Sequence, residues 1–167
     1  MGDIFKEQLI QARRTSKDKT SLVAIVASTI SLSVVVLWLF GGMGAVVIVG
    51  IVLLANYLRS FLSREYEYAI TNNELDIDVI YNKQRRRRIK TIDLRNITMM
   101  ASIADDRHKE QLLRVEKAID CSDGKLEANT YAIIYSVNGE TLKILLTPNN
   151  EMLQLMYNQA PSKIHKM

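Results

Sequence analysis

From Leu22 to Tyr57 the chain carries no charged side chain, and its polar ones are limited to Ser28, Thr29, Ser31, Ser33 and Asn56. A helix crosses a bilayer with about 20 mostly apolar residues, and this stretch supplies nearly two such helices. Gly41-Gly42 sits near its middle, where two residues without Cβ permit a sharp reversal. The expectation is a transmembrane helical hairpin over residues 21–62 that turns at Gly41 and Gly42. A cleaved signal peptide fits less well. The apolar core exceeds the usual stretch of about 7–15 residues, and a second apolar span follows at once.

Within the hairpin, small side chains let membrane helices approach closely. Ala24, Ala27, Ser28 and Ser31 on the first helix, with Gly44 and Gly50 on the second, are the candidates for helix–helix packing. The alternative is that these small residues face lipid or another subunit. Trp38 and Tyr57 fall near helix ends, where amphipathic rings prefer the interface. The turn has no Lys or Arg, whereas both flanks are rich in them. The positive-inside rule then places both termini in the cytoplasm of an inner-membrane protein.

Residues 1–20 form a basic arm with Lys6, Arg13, Arg14, Lys17 and Lys19. Ile4, Phe5, Leu9 and Ile10 lie near one helical face, which suits a short amphipathic helix on the membrane surface. A tail that only carries orienting charge is the other reading. The single cysteine, Cys121, allows no intrachain disulfide, which suits a reducing compartment.

After the hairpin the period changes from helical to two. Tyr66, Tyr68 and Ile70 alternate with Glu65, Glu67 and Ala69, as in a half-buried strand. Further strands are expected at 75–81, 85–92, 97–103, 112–120, 128–137 and 142–146. Asn72-Asn73 and Asn138-Gly139 are turn signals. Residues 104–111 read as a solvated charged loop. Thr147 and Pro148 open a helix over about 148–159 whose apolar face holds Met152, Leu155 and Met156. Residues 63–167 thus form one cytoplasmic domain of about seven strands and a C-terminal helix.

Seven short strands closed by one capped helix resemble the pleckstrin-homology-like fold, a partly open antiparallel β-barrel plugged by its last helix. The stretch from Tyr68 to Arg85 (Tyr-Ala-Ile-Thr-Asn-Asn-Glu-Leu-Asp-Ile-Asp-Val-Ile-Tyr-Asn-Lys-Gln-Arg), with Ile92-Asp-Leu-Arg-Asn-Ile97, resembles small bacterial membrane proteins of unknown function. Those join a two-helix membrane hairpin to such a domain. The resemblance implies an α+β membrane protein and carries over no catalytic or binding residue. Domains of this fold bind lipids, peptides or proteins, and the fold alone does not choose among them.

Lys83, Arg85, Arg86, Arg87, Arg88 and Lys90 are the most distinctive polar feature. Basic clusters beside a membrane attract anionic lipid. Strand alternation puts Arg85 and Arg87 on one face and Arg86 and Arg88 on the other. The face turned from a bilayer then needs acidic partners such as Asp76 and Asp78, or solvent. The run lacks base-stacking aromatics, so nucleic acid is not expected. Asp105, Asp106, His108 and Glu110 match no metal-ligand spacing, and neither a metal nor another cofactor is expected. Cys121 reads as a bystander thiol, and His165, beside Lys163 and Lys166, as a solvated tail residue. No phosphate loop, nucleophile elbow or paired-carboxylate site is present in the sequence.

The expected function is non-enzymatic: a membrane-anchored module that binds a protein or anionic lipid headgroups. The alternative is an accessory subunit of a larger membrane complex, recognised through its hairpin.

Overall fold

The structure, a computed structural model, describes residues 5–13, 16–137 and 139–166. It divides into two units. One holds the sheets and comprises residues up to 13, 65–80 and from 86 onward. The other comprises residues 14–64 and 81–85.

The sheet unit begins with a strand, β1 (Phe5–Gln11), where a surface helix or a tail was expected. It pairs antiparallel with β2 (Arg64–Thr71), from Phe5 opposite Thr71 to Gln11 opposite Glu65. The order of this four-stranded sheet is β1-β2-β3-β4, with β3 at Glu74–Tyr81 and β4 at Arg85–Asp93. Lys6, Gln8 and Ile10 are half-buried on one face of β1, and Phe5, Glu7, Leu9 and Gln11 are exposed on the other. That alternation has period two, and four apolar residues were too few to distinguish it from a helical stripe. Arg14, Lys17 and Asn138, each invoked by the sequence reading, lie outside the residues or side chains described.

The second sheet takes its strands from β5 (Met99–Ser102), β6 (Ala118–Asp120), β7 (Tyr131–Val137), β8 (Glu140–Leu146) and β9 (Ile164–His165). Their order is β6-β8-β7-β5-β9. The β6–β8 and β5–β9 pairs are parallel, and the others antiparallel. Residues 112–120 are not the expected strand. They enter as a short helix, α3 (Lys109–Leu113), and finish as β6. Leu112 and Val115 are three apart and cap a cluster of Met99, Ala101, Ala132 and Ile134. Burial on this outer face, added to the core face, explains why Tyr131 to Tyr135 are all buried.

The last helix, α4 (Asn150–Gln159), starts two residues later than expected. Its cap is Asn149, whose side chain accepts from the Met152 N–H at 2.8 Å. The Thr147 hydroxyl instead accepts from the Asp123 N–H. Met152 and Met156 are fully buried, alongside Tyr68, Ile70, Leu75, Ile77, Met100, Ile133, Ile144 and Leu146 from the two sheets and Leu94 from the turn after β4. Both sides of the Gln8 amide tie β1 to the entry of α4: its NH₂ donates to the Thr147 carbonyl at 3.1 Å and its oxygen accepts from the Asn149 N–H at 2.8 Å. Lys6 pairs with Glu151. The Tyr68 hydroxyl donates to the Cys121 carbonyl at 2.5 Å and accepts from the Thr147 N–H at 3.3 Å, joining the two sheets inside the core.

The other unit holds α1 (Ser16–Phe40), a 3₁₀ turn at Gly41–Gly44, and α2 (Ala45–Ser60). Gly41 has φ +55, the left-handed conformation that glycine adopts freely. At Gly44 an added Cβ would lie 2.8 Å from Val36 Cγ1, so only glycine fits without movement there. Ile25, Ser28, Thr29 and Leu32 of α1 line one open groove with Ile51, Leu54, Ala55 and Leu58 of α2. Ala24, Ala27, Ser31 and Gly50 do not form the packing seam expected of them. The three side chains are exposed, and nothing stands within 4 Å of where a Cβ of Gly50 would be. The branched chains at Ile25, Thr29 and Ile51 meet in that groove with Ala55 instead.

Two outcomes test this fold. Because Gln11 faces Glu65, residues 14–64 are replaceable by Asn-Gly, leaving a four-residue loop of the kind that closes hairpins. That chain should be soluble and melt cooperatively, whereas residues 65–167 alone should not. Equal melting temperatures would refute a structural role for β1. In the loop-replaced domain, Tyr68→Phe should cost about 1–3 kcal/mol in urea denaturation, because it strands a buried N–H and a buried carbonyl.

Candidate functional site

The basic run occupies the β3–β4 hairpin and the strand that follows. Asn82 (φ 50) and Lys83 (φ 56) are both left-handed, and the Gln84 N–H donates to the Tyr81 carbonyl at 3.1 Å. This is the two-residue turn whose twist suits a hairpin. Glycine is favoured at its second position, and Lys83 holds it at a cost of about 1 kcal/mol. Its side chain stands at the tip of the turn.

Beyond the turn, alternation sorts the arginines. Asp78 is 3% exposed and takes two guanidinium groups. Arg86 Nε donates to one carboxylate oxygen at 2.6 Å and Arg88 Nε to the other at 2.9 Å. Arg86 also reaches Glu67 at 3.2 Å, and Arg88 reaches Asp76 at 3.0 Å. Burial pushes the Asp78 carboxyl up, but the hydrogen bonds from Arg88 and Arg86 outweigh it and hold it below the ordinary carboxylate range. Thr91 donates to the same Asp76 at 2.6 Å. Arg88 and Thr91, three apart, would face opposite ways on an unbroken strand, so the alternation slips by one residue between them. Lys90 consequently turns inward, with Nζ 5.8 Å from the ring centre of the buried Tyr135.

The six basic residues therefore do not act alike. Arg86 and Arg88 belong to an ion-pair ladder, and Lys90 to an aromatic contact. Arg85 lies 5.9 Å from the ring centre of Phe61. Lys83, Arg85 and Arg87 are exposed or nearly so, and none has an acidic partner among the described residues.

The charged segment near residue 105 is more ordered than a solvated loop. Asp105 is 5% exposed. It accepts from the Arg107 backbone and guanidinium, and its other oxygen lies 2.9 Å from His108 Nδ1. Those contacts with Arg107 and His108 hold its carboxyl far below the usual range. The His108 ring stacks on His165 at 4.2 Å, so His165 is no solvated tail residue. Burial, His108 and Arg107 lower the His165 pKa against the opposing charge of Asp105. Among the described residues, no three His, Cys, Asp or Glu side chains group as metal ligands. Cys121 is buried, and burial with nearby Asp120 pushes its thiol up to about 12, leaving it protonated and unreactive at neutral pH.

A four-stranded antiparallel sheet packed on a second, mixed one, with a C-terminal helix filling the core between them, is the architecture of a pleckstrin-homology-like domain. The chain belongs to the family described as "Bacterial PH-like domain (DUF6106)", which it matches over residues 2–166. The match therefore includes β1 and the helices as well as the sheets. Neither the curated proteins nor the solved structures contain a match to it.

The ladder sets an acid limit. The carboxyl of Asp78 is depressed in the folded state, so its contribution to stability is present above its unfolded pKa of about 4 and is lost as pH falls through the folded value. Asp78→Asn should lower the melting temperature at pH 7 and flatten the loss of stability below about pH 4. An unchanged acid profile would show that the ladder contributes nothing.

Proposed function

We propose that this protein is a non-enzymatic membrane protein that holds a PH-like module against the cytoplasmic face and contacts anionic lipid headgroups through Lys83, Arg85 and Arg87. The observation that carries the membrane part is the exposure of the apolar helices. The stretch Asp18–Ser60 is long and apolar enough to cross a bilayer, and only 11% of its most apolar window is buried. A helix apolar on all sides and covered by nothing is stable in lipid and not in water. Ser28, Thr29 and Ser33 donate their hydroxyls to carbonyls three or four residues back, which satisfies them without solvent.

Connectivity supports a two-span insertion. The chain leaves the sheet after Gln11 and re-enters at its register partner Glu65. Adjacent strands lie on one side of any membrane, so the segment between them crosses an even number of times. With 25 residues in α1 and 16 in α2, the helices are about 38 and 24 Å long, and the span of α2 is completed by Phe61-Leu62. Arg59 in the last turn can snorkel to the headgroups.

Anionic lipid is favoured over a protein ligand because these cations, in the turn and just after it, are exposed and have no acidic partner among the described residues. Each cation near an anionic surface contributes about 1 kcal/mol, so three give about a hundredfold in affinity. The loop-replaced domain should co-sediment with vesicles containing anionic lipid, in a salt-sensitive manner, and the Lys83→Ala/Arg85→Ala/Arg87→Ala variant should lose about a hundredfold. Lys83→Gly should weaken binding while raising the melting temperature, because it relieves the left-handed lysine. Salt-insensitive or absent binding would turn the reading toward a protein partner. Release of the full chain from membranes by carbonate would end it.

A further inference from the structure

We propose that the protein pairs with a second copy of itself along α2, through a hydrogen bond between the two Asn56 side-chain amides. The proposal rests on the membrane reading above. Of the five polar side chains in the uncharged stretch, Ser28, Thr29 and Ser33 bond to backbone one turn back. Ser31 has no such bond, but its hydroxyl is one rotation from the geometry its neighbours adopt. Asn56 differs in kind. Its amide offers two donors and an acceptor, is exposed on the helix surface, and has no partner among the described residues. It lies one turn inside Arg59, about 6 Å from the end of α2 at Ser60.

Its surroundings make the cost plain. Val49, Val52 and Leu53, which precede Asn56 at seven, four and three residues, are 59%, 46% and 64% exposed. That spacing gives one continuous stripe. It points away from Ile51, Leu54, Ala55 and Leu58, which line the groove shared with α1. An amide facing hydrocarbon is unfavourable unless another polar group meets it.

A second copy is the occupant that fits. An amide is donor and acceptor at once, so an identical amide across a two-fold axis satisfies both roles. Every copy inserts in the same orientation, because its sheet unit remains on one side. Two copies therefore present Asn56 at the same depth, and the apolar stripe beside it supplies packing. A single asparagine at such a position also fixes register between paired helices.

Cross-linking of the full chain in native membranes tests this. Val52→Cys places a thiol on the stripe one turn from Asn56, and Leu54→Cys places one on the groove side. Cys121 is fully buried and does not compete. Oxidation should yield a dimer with Val52→Cys and not with Leu54→Cys. Adding Asn56→Leu to Val52→Cys should cut the cross-linked fraction about tenfold, and Asn56→Gln should restore most of it. Cross-linking through Leu54→Cys, none through Val52→Cys, or a Val52→Cys dimer indifferent to Asn56→Leu would each overturn the proposal. Carbonate extraction of the same samples separates the two readings. Released protein removes the membrane reading and the dimer together, whereas carbonate-resistant protein without the Asn56-dependent link removes the dimer alone.

Discussion

The hydrogen-bond ladder between β1 and β2 is the constraint on which the rest of this structure depends. It joins residues on either side of a helical insertion of about fifty residues, from Phe5 opposite Thr71 to Gln11 opposite Glu65. In most hairpins the connection brings the strands together cheaply, because a short loop loses little entropy on closure. Here the connection is a pair of apolar helices joined at Gly41–Gly44, and the pairing is held by the ladder itself. The helical stretch occupies the connection between β1 and β2, so β1 precedes the insertion in the chain and the other described strands follow it.

That arrangement makes β1 the point where the domain is closed. The strand contributes few buried apolar atoms: Phe5 and Leu9 face outward, and Ile10 is half-buried. It contributes polar closure instead. Gln8 satisfies the Thr147 carbonyl and the Asn149 N–H at the entry to α4, Lys6 reaches Glu151, and the Arg13 N–H donates to the Asp123 carbonyl at 2.9 Å. Backbone groups at a helix entry need partners when water is excluded, and β1 supplies them. The interior depends on different contacts, chiefly Met152 and Met156 between the sheets and the Tyr68 hydroxyl across them.

The arginine run shows how a repetitive sequence becomes unequal in three dimensions. Four consecutive arginines have the same local propensity and the same charge. Pleating gives Arg86 and Arg88 to a buried Asp78 and leaves Arg87 in solvent. The slip in alternation before Thr91 then turns Lys90 toward Tyr135. A bulge costs ladder hydrogen bonds, and this one sits where the strand passes from an ion-paired face to the core at Ile92 and Leu94. Charge in this hairpin thus has two uses, with opposite demands on solvation.

What the sequence determined was whatever depends on local composition and period. The uncharged helical stretch, the strands of the β2–β4 meander and of β7 and β8, and the methionine face of α4 all follow from runs long enough to show their periodicity. The availability of Asp76 and Asp78 as partners for alternate arginines was also legible, since they lie on the strand across a two-residue turn. Tertiary structure decided what depended on distant partners. Phe5–Gln11 became a strand because β2 offered an edge more than fifty residues away, and Leu112 became helical because the outer face of β5 and β7 needed covering. Asp105, His108 and His165 met because β9 runs parallel to β5. No local pattern encodes a long-range pairing, since the free energy that selects it comes from surfaces that exist only after the remainder of the chain has folded.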